Sequence, residues 1–464
     1  MPFALRAPAG PLAVALLLLA AAPRTAHPPL AIAVAAGHPS RLHLRATASV
    51  RRDNRTIEES LDVAGTHRLV RRCTAGLCVG TWFDGAHLSE FGINQTPFPE
   101  ASSEEPLLRT YAAIASAEFA ESDFNGSVQQ VSPEAGLERF RVSVPDGTPL
   151  IAVADARTHH LVRVEHSDGT TLITFLATLT GSAILYTDRH YESVTRVEEP
   201  LREPGGPQTT VSGDSDVPIV SQALPIVPCR LDGFKANCLI DTGTTPSGIT
   251  LAFAERLNRE PHGELEMNAL GSYVTGVIDA GQIVVGTATL HSLHLAVVPQ
   301  TRGLNFDVIL GSDALAGMRI ALEPARAVVH VSPSSATVNG TAVPLTFERG
   351  LPYVDARLGS AAAAHRLLLD TGDNGMLSIP FDAYRNELQL FKPRRNVTAF
   401  GLGGSAEAVA GDLPSASIGG LTLERLEIRA VRGQPQGHVG YALAAHCGRL
   451  AIDFGQRRID CLKT

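Results

Sequence analysis

Two stretches of the chain, CLIDTGTTPSGI at 238–249 and LLLDTGDNGMLSI at 367–379, follow the same order: an apolar run, Asp-Thr-Gly, a short polar turn, and a second apolar run. The surrounding segments repeat as well. LPIVPCRLDG (224–233) matches LPYVDARLGS (351–360), and GQIVVGTATLHSLHLAVV (281–298) matches SASIGGLTLERLEIRAV (415–431). VILGSDALAGMRIALEPARAVVHV (308–331) then matches HVGYALAAHCGRLAIDFGQRRI (438–459). From Asp241 to Gly311 is 70 residues, and from Asp370 to Gly440 is also 70. Matched order with matched spacing is an internal duplication. It predicts two similar lobes, 217–335 and 336–464, able to bring Asp241 and Asp370 face to face.

A chain of 464 residues is long enough for two or three domains. Its 42 Gly and 30 Pro favour many turns, hence a mainly β protein. The net charge of −8, with no basic stripe, excludes nucleic acid as a partner class. Near the N-terminus Arg6 precedes PLAVALLLLAAA, an apolar run too short to span a bilayer. Residues 1–36 read as a signal peptide, with the cleavage point between Ala26 and Ala36. No later run is long enough for a transmembrane helix, so the expected product is exported, periplasmic or extracellular.

Six cysteines agree with export. In RRCTAGLCVG, Cys73 and Cys78 flank an Ala75-Gly76 turn, and in PCRLDGFKANCL, Cys229 and Cys238 oppose one another about Gly233-Phe234. Opposed hairpin residues have the separation that a disulfide needs. Cys447 and Cys461 remain as the third pair.

Residues 37–198 alternate short β runs with turns, among them RLHLRATASV, LCVGTWF, RFRVSV, LIAVAD and TTLITFLA. One helix interrupts them: Ser102-x-x-Glu105 forms a capping box, Pro106 sits in the first turn, and Leu107, Leu108, Tyr111, Ala115 and Phe119 share a face. The Pro/Gly/Ser-rich stretch 199–216 reads as a linker. Five N-x-S/T sites, at Asn54, Asn94, Asn125, Asn339 and Asn396, would accept glycans in a eukaryotic secretory host.

Each Asp-Thr-Gly ends a strong strand, so its carboxylate emerges where a buried strand meets a tight turn. Two carboxylates held about 3 Å apart cannot both ionise; one proton is shared, and the two pKa values split. The ionised member takes a proton from water while the protonated one polarises a substrate carbonyl. Such chemistry requires no metal, cofactor or covalent intermediate. His159 and His160 point to opposite faces of a strand, and His160 lies too far from His166 to share an ion, so no metal site is expected. GLGGSA (401–406) follows no βαβ pattern and reads as a hairpin turn rather than a dinucleotide loop.

In these residues the sequence resembles the retropepsin-like aspartic proteases, with two such domains fused in one chain. The pKa splitting is a known property of that family's dyad and is carried over with the resemblance. The resemblance covers about 217–464 and rests on both Asp-Thr-Gly signatures and on Ile309-Leu310-Gly311 and His438-Val439-Gly440. It implies bilobal acid-protease β-barrels, Asp241 and Asp370 as catalytic pair, Thr242 and Thr371 locking the two loops, and Gly243 and Gly372 shaping the turns. MNALGSYVTG (267–276) and AFGLGGSAEA (399–408) would be flaps over an extended polypeptide substrate, and a monomer would suffice for catalysis.

The halves differ after the signature. Thr244 fits the family pattern; Asp373 does not, and a third acid should raise the pKa of its neighbours. Asp241 is therefore expected to be the more readily ionised member and Asp370 the more readily protonated. His438 replaces the usual aliphatic residue. The front region, in RFRVSVPDGTPLIAVADARTHHLVRVEHSDGTTLITF, resembles the half-barrel of LolA/LolB-type periplasmic lipoprotein carriers, which implies an antiparallel half-barrel-like β domain with one helix. The competing reading is a non-catalytic exported protein that binds peptide or lipid on the same scaffold.

Overall fold

The computed structural model describes residues 41–50, 55–64, 67–99, 105–115, 125–157, 161–168, 171–177, 183–186, 193–197, 201–268, 272–299, 305–334, 340–359, 364–386, 391–402 and 404–462. The expected signal peptide, the His159-His160 pair, Asn54 and Asn339 lie outside them. The protein is mainly β, as its turn-rich composition requires, and none of its helices among the described residues is long and apolar enough to cross a membrane. It divides into two compact units. One comprises Gly205–Thr464 with Phe91–Phe98; the other comprises residues up to Glu90 together with Pro99–Pro204.

In the second of these units one antiparallel sheet carries Ser193–Val197, Arg41–Val50, Arg55–Ala64, His67–Thr74 and Leu77–Phe83 as successive neighbours. Another runs Ala183–Tyr186, Thr171–Ala177, Leu161–His166, Leu150–Asp155, Leu137–Ser143 and Ser127–Glu134. The one helix among the described residues there, Glu105–Ala115, buries Leu108, Thr110, Ala113 and Ile114. Of the expected face Leu108 is buried and Leu107 half-buried; the capping Ser102, Phe119 and the side chains of Tyr111 and Ala115 lie outside the described residues. The helix packs on Leu137–Ser143 and Leu150–Asp155, and those two strands select the face.

The larger unit begins inside the expected linker. Gln208–Val211 (β1) and Ser215–Pro218 (β2) pair as edge strands with elements far along the chain, which local periodicity cannot show. Then follow β3 (Ile226–Leu231), β4 (Phe234–Ile240), β5 (Gly248–Thr250), α1 (Leu251–Arg256), β6 (His262–Asn268), β7 (Ser272–Val285), β8 (Ala288–Val298), β9 (Val308–Leu310), α2 (Ser312–Leu315), β10 (Arg319–Glu323) and β11 (Val328–Ser332). The chain continues through β12 (Thr341–Pro344), β13 (Thr346–Glu348), β14 (Leu351–Leu358), β15 (His365–Asp370), β16 (Leu377–Pro380), α3 (Phe381–Asn386), β17 (Lys392–Gly401), β18 (Gly404–Ile418) and β19 (Leu421–Val431). It ends with β20 (His438–Gly440), α4 (Ala442–Cys447), β21 (Arg449–Asp453) and β22 (Arg458–Leu462).

One circuit of pairings occurs twice. In the first half β3 pairs β4, β4 runs parallel to β9, β9 pairs β5, β5 runs parallel to β8, β8 pairs β7, and β7 returns to β3. The second half repeats it with β14, β15, β20, β16, β19 and β18. Each ring is a small closed barrel with its sheet edges largely consumed. Interior positions alternate along the strands: Val227, Cys229 and Leu231 point inward on β3, and Val354, Ala356 and Leu358 do so on β14.

A third sheet joins the halves in the order β2-β11-β10-β21-β22-β12, three strands from each. Its central pair, β10 and β21, is antiparallel with Ile320 opposite Ile452 and Ala321 opposite Ala451. The Cys229–Cys238 bridge crosses the β3–β4 hairpin diagonally, because the turn is Asp232-Gly233 rather than Gly233-Phe234 and places Cys229 opposite Ala236 and Cys238 opposite Val227. Cys447–Cys461 ties α4 to β22. Cys73–Cys78 closes a hairpin of the other unit.

Candidate active site

β4 and β15 deliver the two Asp-Thr-Gly segments. Each strand is held in the barrel by a parallel partner: Ile240 pairs with Leu310, and Asp370 pairs with Gly440. The chain must then leave the barrel at Asp241 and Asp370, and there the two loops meet. The Thr242 hydroxyl donates to the Leu369 carbonyl at 2.6 Å and accepts from the Thr371 amide at 3.1 Å. The Thr371 hydroxyl donates to the Ile240 carbonyl at 2.7 Å and accepts from the Thr242 amide at 3.0 Å. Both threonines are wholly buried, so these four reciprocal bonds satisfy every polar atom involved.

Close approach explains both glycines. A Cβ on Gly243 would lie 2.3 Å from the Asp370 carboxyl carbon, and one on Gly372 would lie 2.5 Å from that of Asp241. Each loop backbone is thus the wall of the opposite carboxyl's seat. Asp241 accepts from the Gly243 amide at 2.9 Å; Asp370 accepts from the Gly372 amide at 2.9 Å and the Asp373 amide at 3.2 Å. The two carboxyl groups, 8% and 7% exposed, hydrogen-bond to one another.

Their proton affinities are split, and in the direction opposite to the expectation from Asp373. Burial, and then the Asp370 charge, push Asp241 well above the ordinary carboxylate value. Burial acts on Asp370 in the same sense but is outweighed by His438, whose Nδ1 stands 3.1 Å from Asp370 Oδ2, and Asp370 falls to about 2. Asp370 is therefore the ionised member and Asp241 the protonated one. Asp373 does not reverse this. Its Oδ1 accepts from the Gly375 amide at 2.7 Å and faces Arg429 at 3.9 Å, and its own pKa rises through burial and the neighbouring Asp370 charge.

Behind the loops the two halves are built alike. The Thr244 carbonyl accepts from the Ser312 amide at 2.9 Å, and the Asp373 carbonyl accepts from the Tyr441 amide at 2.7 Å. Gly311 and Gly440 pass so close to these carbonyls that a Cβ would come within 2.5 and 2.6 Å of them.

Asn94 contributes from far away in the sequence. Its Nδ2 donates to buried Asp313 at 2.6 Å and to the His294 carbonyl at 3.0 Å, and its Oδ1 accepts from the His294 amide at 2.7 Å. Asp313 also accepts from the Ser247 amide and hydroxyl beside the first Asp-Thr-Gly loop. Asn94, one of the five N-x-S/T sites, is thus buried and fully bonded, with no room for a sugar in the folded protein.

The β6–β7 and β17–β18 hairpins arise at equivalent places and expose Val274 and Phe400, at 53% and 75%. Leu402, beyond Phe400, is buried in a cluster with Leu224, Ile226, Leu239, Val298, Phe306 and Ile309 of the first half. A three-residue cluster that sequence spacing does not suggest, His262, Asp279 and His294, lies on the first barrel.

Residues 227–314 match a family model described as aspartyl protease. The match runs from β3 into α2 and contains the first Asp-Thr-Gly, whereas Asp370 lies beyond it. No curated protein matches the chain.

Proposed function

We propose that the protein is an exported aspartic endopeptidase in which a water molecule is activated between Asp241 and Asp370. The observation that carries this reading is the hydrogen-bonded pair of buried carboxyls at the junction of two equivalent loops, with their proton affinities driven apart. The two-fused-domain reading rests on the recurrence of one pairing circuit around each Asp-Thr-Gly. Export is supported by the three disulfides, which persist in oxidising compartments.

Asp370, ionised, accepts a proton from water as the oxygen attacks the scissile carbonyl carbon. Asp241, protonated, gives its proton to the carbonyl oxygen, forming a tetrahedral diol. Asp370 then passes its new proton to the amide nitrogen while Asp241 recovers one from a diol hydroxyl; the C–N bond breaks, leaving an acid and an amine, with Asp370 again ionised and Asp241 again protonated. Thr242 and Thr371 hold the carboxyls in register. His438 keeps Asp370 anionic by donating to the oxygen not engaged by the loop amides. An extended polypeptide would lie between the lobes beneath the β6–β7 and β17–β18 hairpins, its side chains meeting apolar residues such as Val274 and Phe400.

Digestion of a peptide mixture by purified protein, read by mass spectrometry beside Asp241→Asn and Asp370→Asn, tests the reading. New termini should appear with the wild type and vanish with either variant. A folded wild type that binds peptides without cutting them makes the scaffold a binding module instead.

A further inference from the structure

We infer that His262, Asp279 and His294 form a site for one divalent transition-metal ion, with zinc the best match to the ligand set. The three residues lie on adjacent strands β6, β7 and β8. Asp279 stands directly opposite His294, and His262 pairs with Val277, two residues before Asp279 and on the same face. Both imidazoles therefore converge on one carboxylate from opposite flanks. His262 Nε2 is 3.1 Å from Asp279 Oδ2, and His294 Nδ1 is 2.6 Å from Asp279 Oδ1. The donor atoms all fall within 4.8 Å of one another, and the rings meet edge to face with centroids 6.5 Å apart.

Zinc bonds nitrogen and oxygen at about 2.0–2.2 Å, so small rotations of exposed side chains would bring three such donors around one ion. Two imidazoles with one carboxylate suit zinc or a neighbouring late first-row metal rather than calcium or magnesium, which prefer oxygen alone. A fourth position is left for water.

The backbone beneath the cluster is held independently of any ion. Asn94 clasps both the amide and the carbonyl of His294. The Arg259 guanidinium donates to the Asp279 carbonyl, and its charge is balanced by Asp232 at 2.6 Å. Because β6 and β7 form the stem of the hairpin bearing Val274, an ion here would cross-link that stem to β8. The site itself does not depend on the protease reading.

Calorimetric titration of tag-free, metal-stripped protein with zinc chloride tests the inference. The wild type should bind one equivalent at neutral pH and bind it more weakly near pH 5.5, because an imidazole ligates only through an unprotonated nitrogen. His262→Ala, Asp279→Asn and His294→Ala should each weaken binding at least tenfold, whereas His87→Ala, an exposed histidine of the other unit, should leave it unchanged. Absence of saturable binding, or affinity indifferent to the three cluster variants, would overturn the assignment. Histidine-ring NMR of the wild type avoids any question of variant folding: zinc should move the signals of two of the 16 histidines first, and equal movement of others would overturn it too.

Discussion

The two halves of the larger unit share a circuit of strands and differ at one position that matters. In the first half Ile309, two residues before Gly311, is 1% exposed and sits in an apolar cluster with Leu239 and Phe306. In the second half the equivalent residue is His438, two before Gly440, and its imidazole meets Asp370. A symmetric pair of carboxyls has no built-in reason to place its one proton on a given side. One imidazole supplies the reason, making the second half the home of the charge and the first the home of the proton. The repeated circuit of strands provides the geometry, and a difference at a single barrel position provides the polarity.

The sharpest break in the comparison is removal of either carboxylate. Asp241→Asn and Asp370→Asn should each lower turnover on the order of 10³-fold with peptide affinity retained, since the two act as one unit. Measured single-turnover rates that differ widely between the two variants would show that the two carboxyls do not act as one unit. Next in size, Thr242→Val and Thr371→Val should cost similar amounts of stability, about 3 kcal/mol each. Each change removes an acceptor and a donor from buried backbone groups. Urea unfolding reads both, and a large difference would show that the interlock is not symmetric.

His438→Leu sharpens the comparison by making the second half resemble the first. Loss of the imidazole removes what lowers Asp370, so its pKa rises. The acid limb of the pH–rate profile, where the base becomes protonated, then moves up by roughly one to two pH units. The smallest effect is expected for Asp373→Thr, which installs the first half's residue. Its carboxylate already bonds Gly375 and faces Arg429, so the acid limb should move by less than about half a unit.

What the sequence made legible was local or repeated. The two Asp-Thr-Gly loops, the Ala75-Gly76 turn within Cys73–Cys78 and the Cys229–Cys238 pairing follow from residues within a dozen positions of each other, though the turn inside the second pair falls one residue earlier than expected. The missed features span strands. His438 reaches Asp370 across 68 residues because β15 and β20 run parallel, and sequence alone marked it only as a departure from an aliphatic pattern. Asn94 meets Asp313 at a separation of 219, so no neighbour in sequence marks its buried amide. The His262–Asp279–His294 cluster depends on register across three strands, which hydrophobic alternation leaves open. The reversed polarity of the dyad has the same origin: Asp373 is adjacent in sequence, but His438 is adjacent to the carboxylate in space.

The division of labour is open to direct measurement by carbon-detected NMR of the aspartate carboxyls across a pH titration, assigned with the two Asn variants. Asp370 should stay ionised down to about pH 2, while Asp241 should hold its proton well above the ordinary carboxylate range. Two carboxyls titrating independently near their ordinary values, or Asp241 ionising before Asp370, would contradict the account.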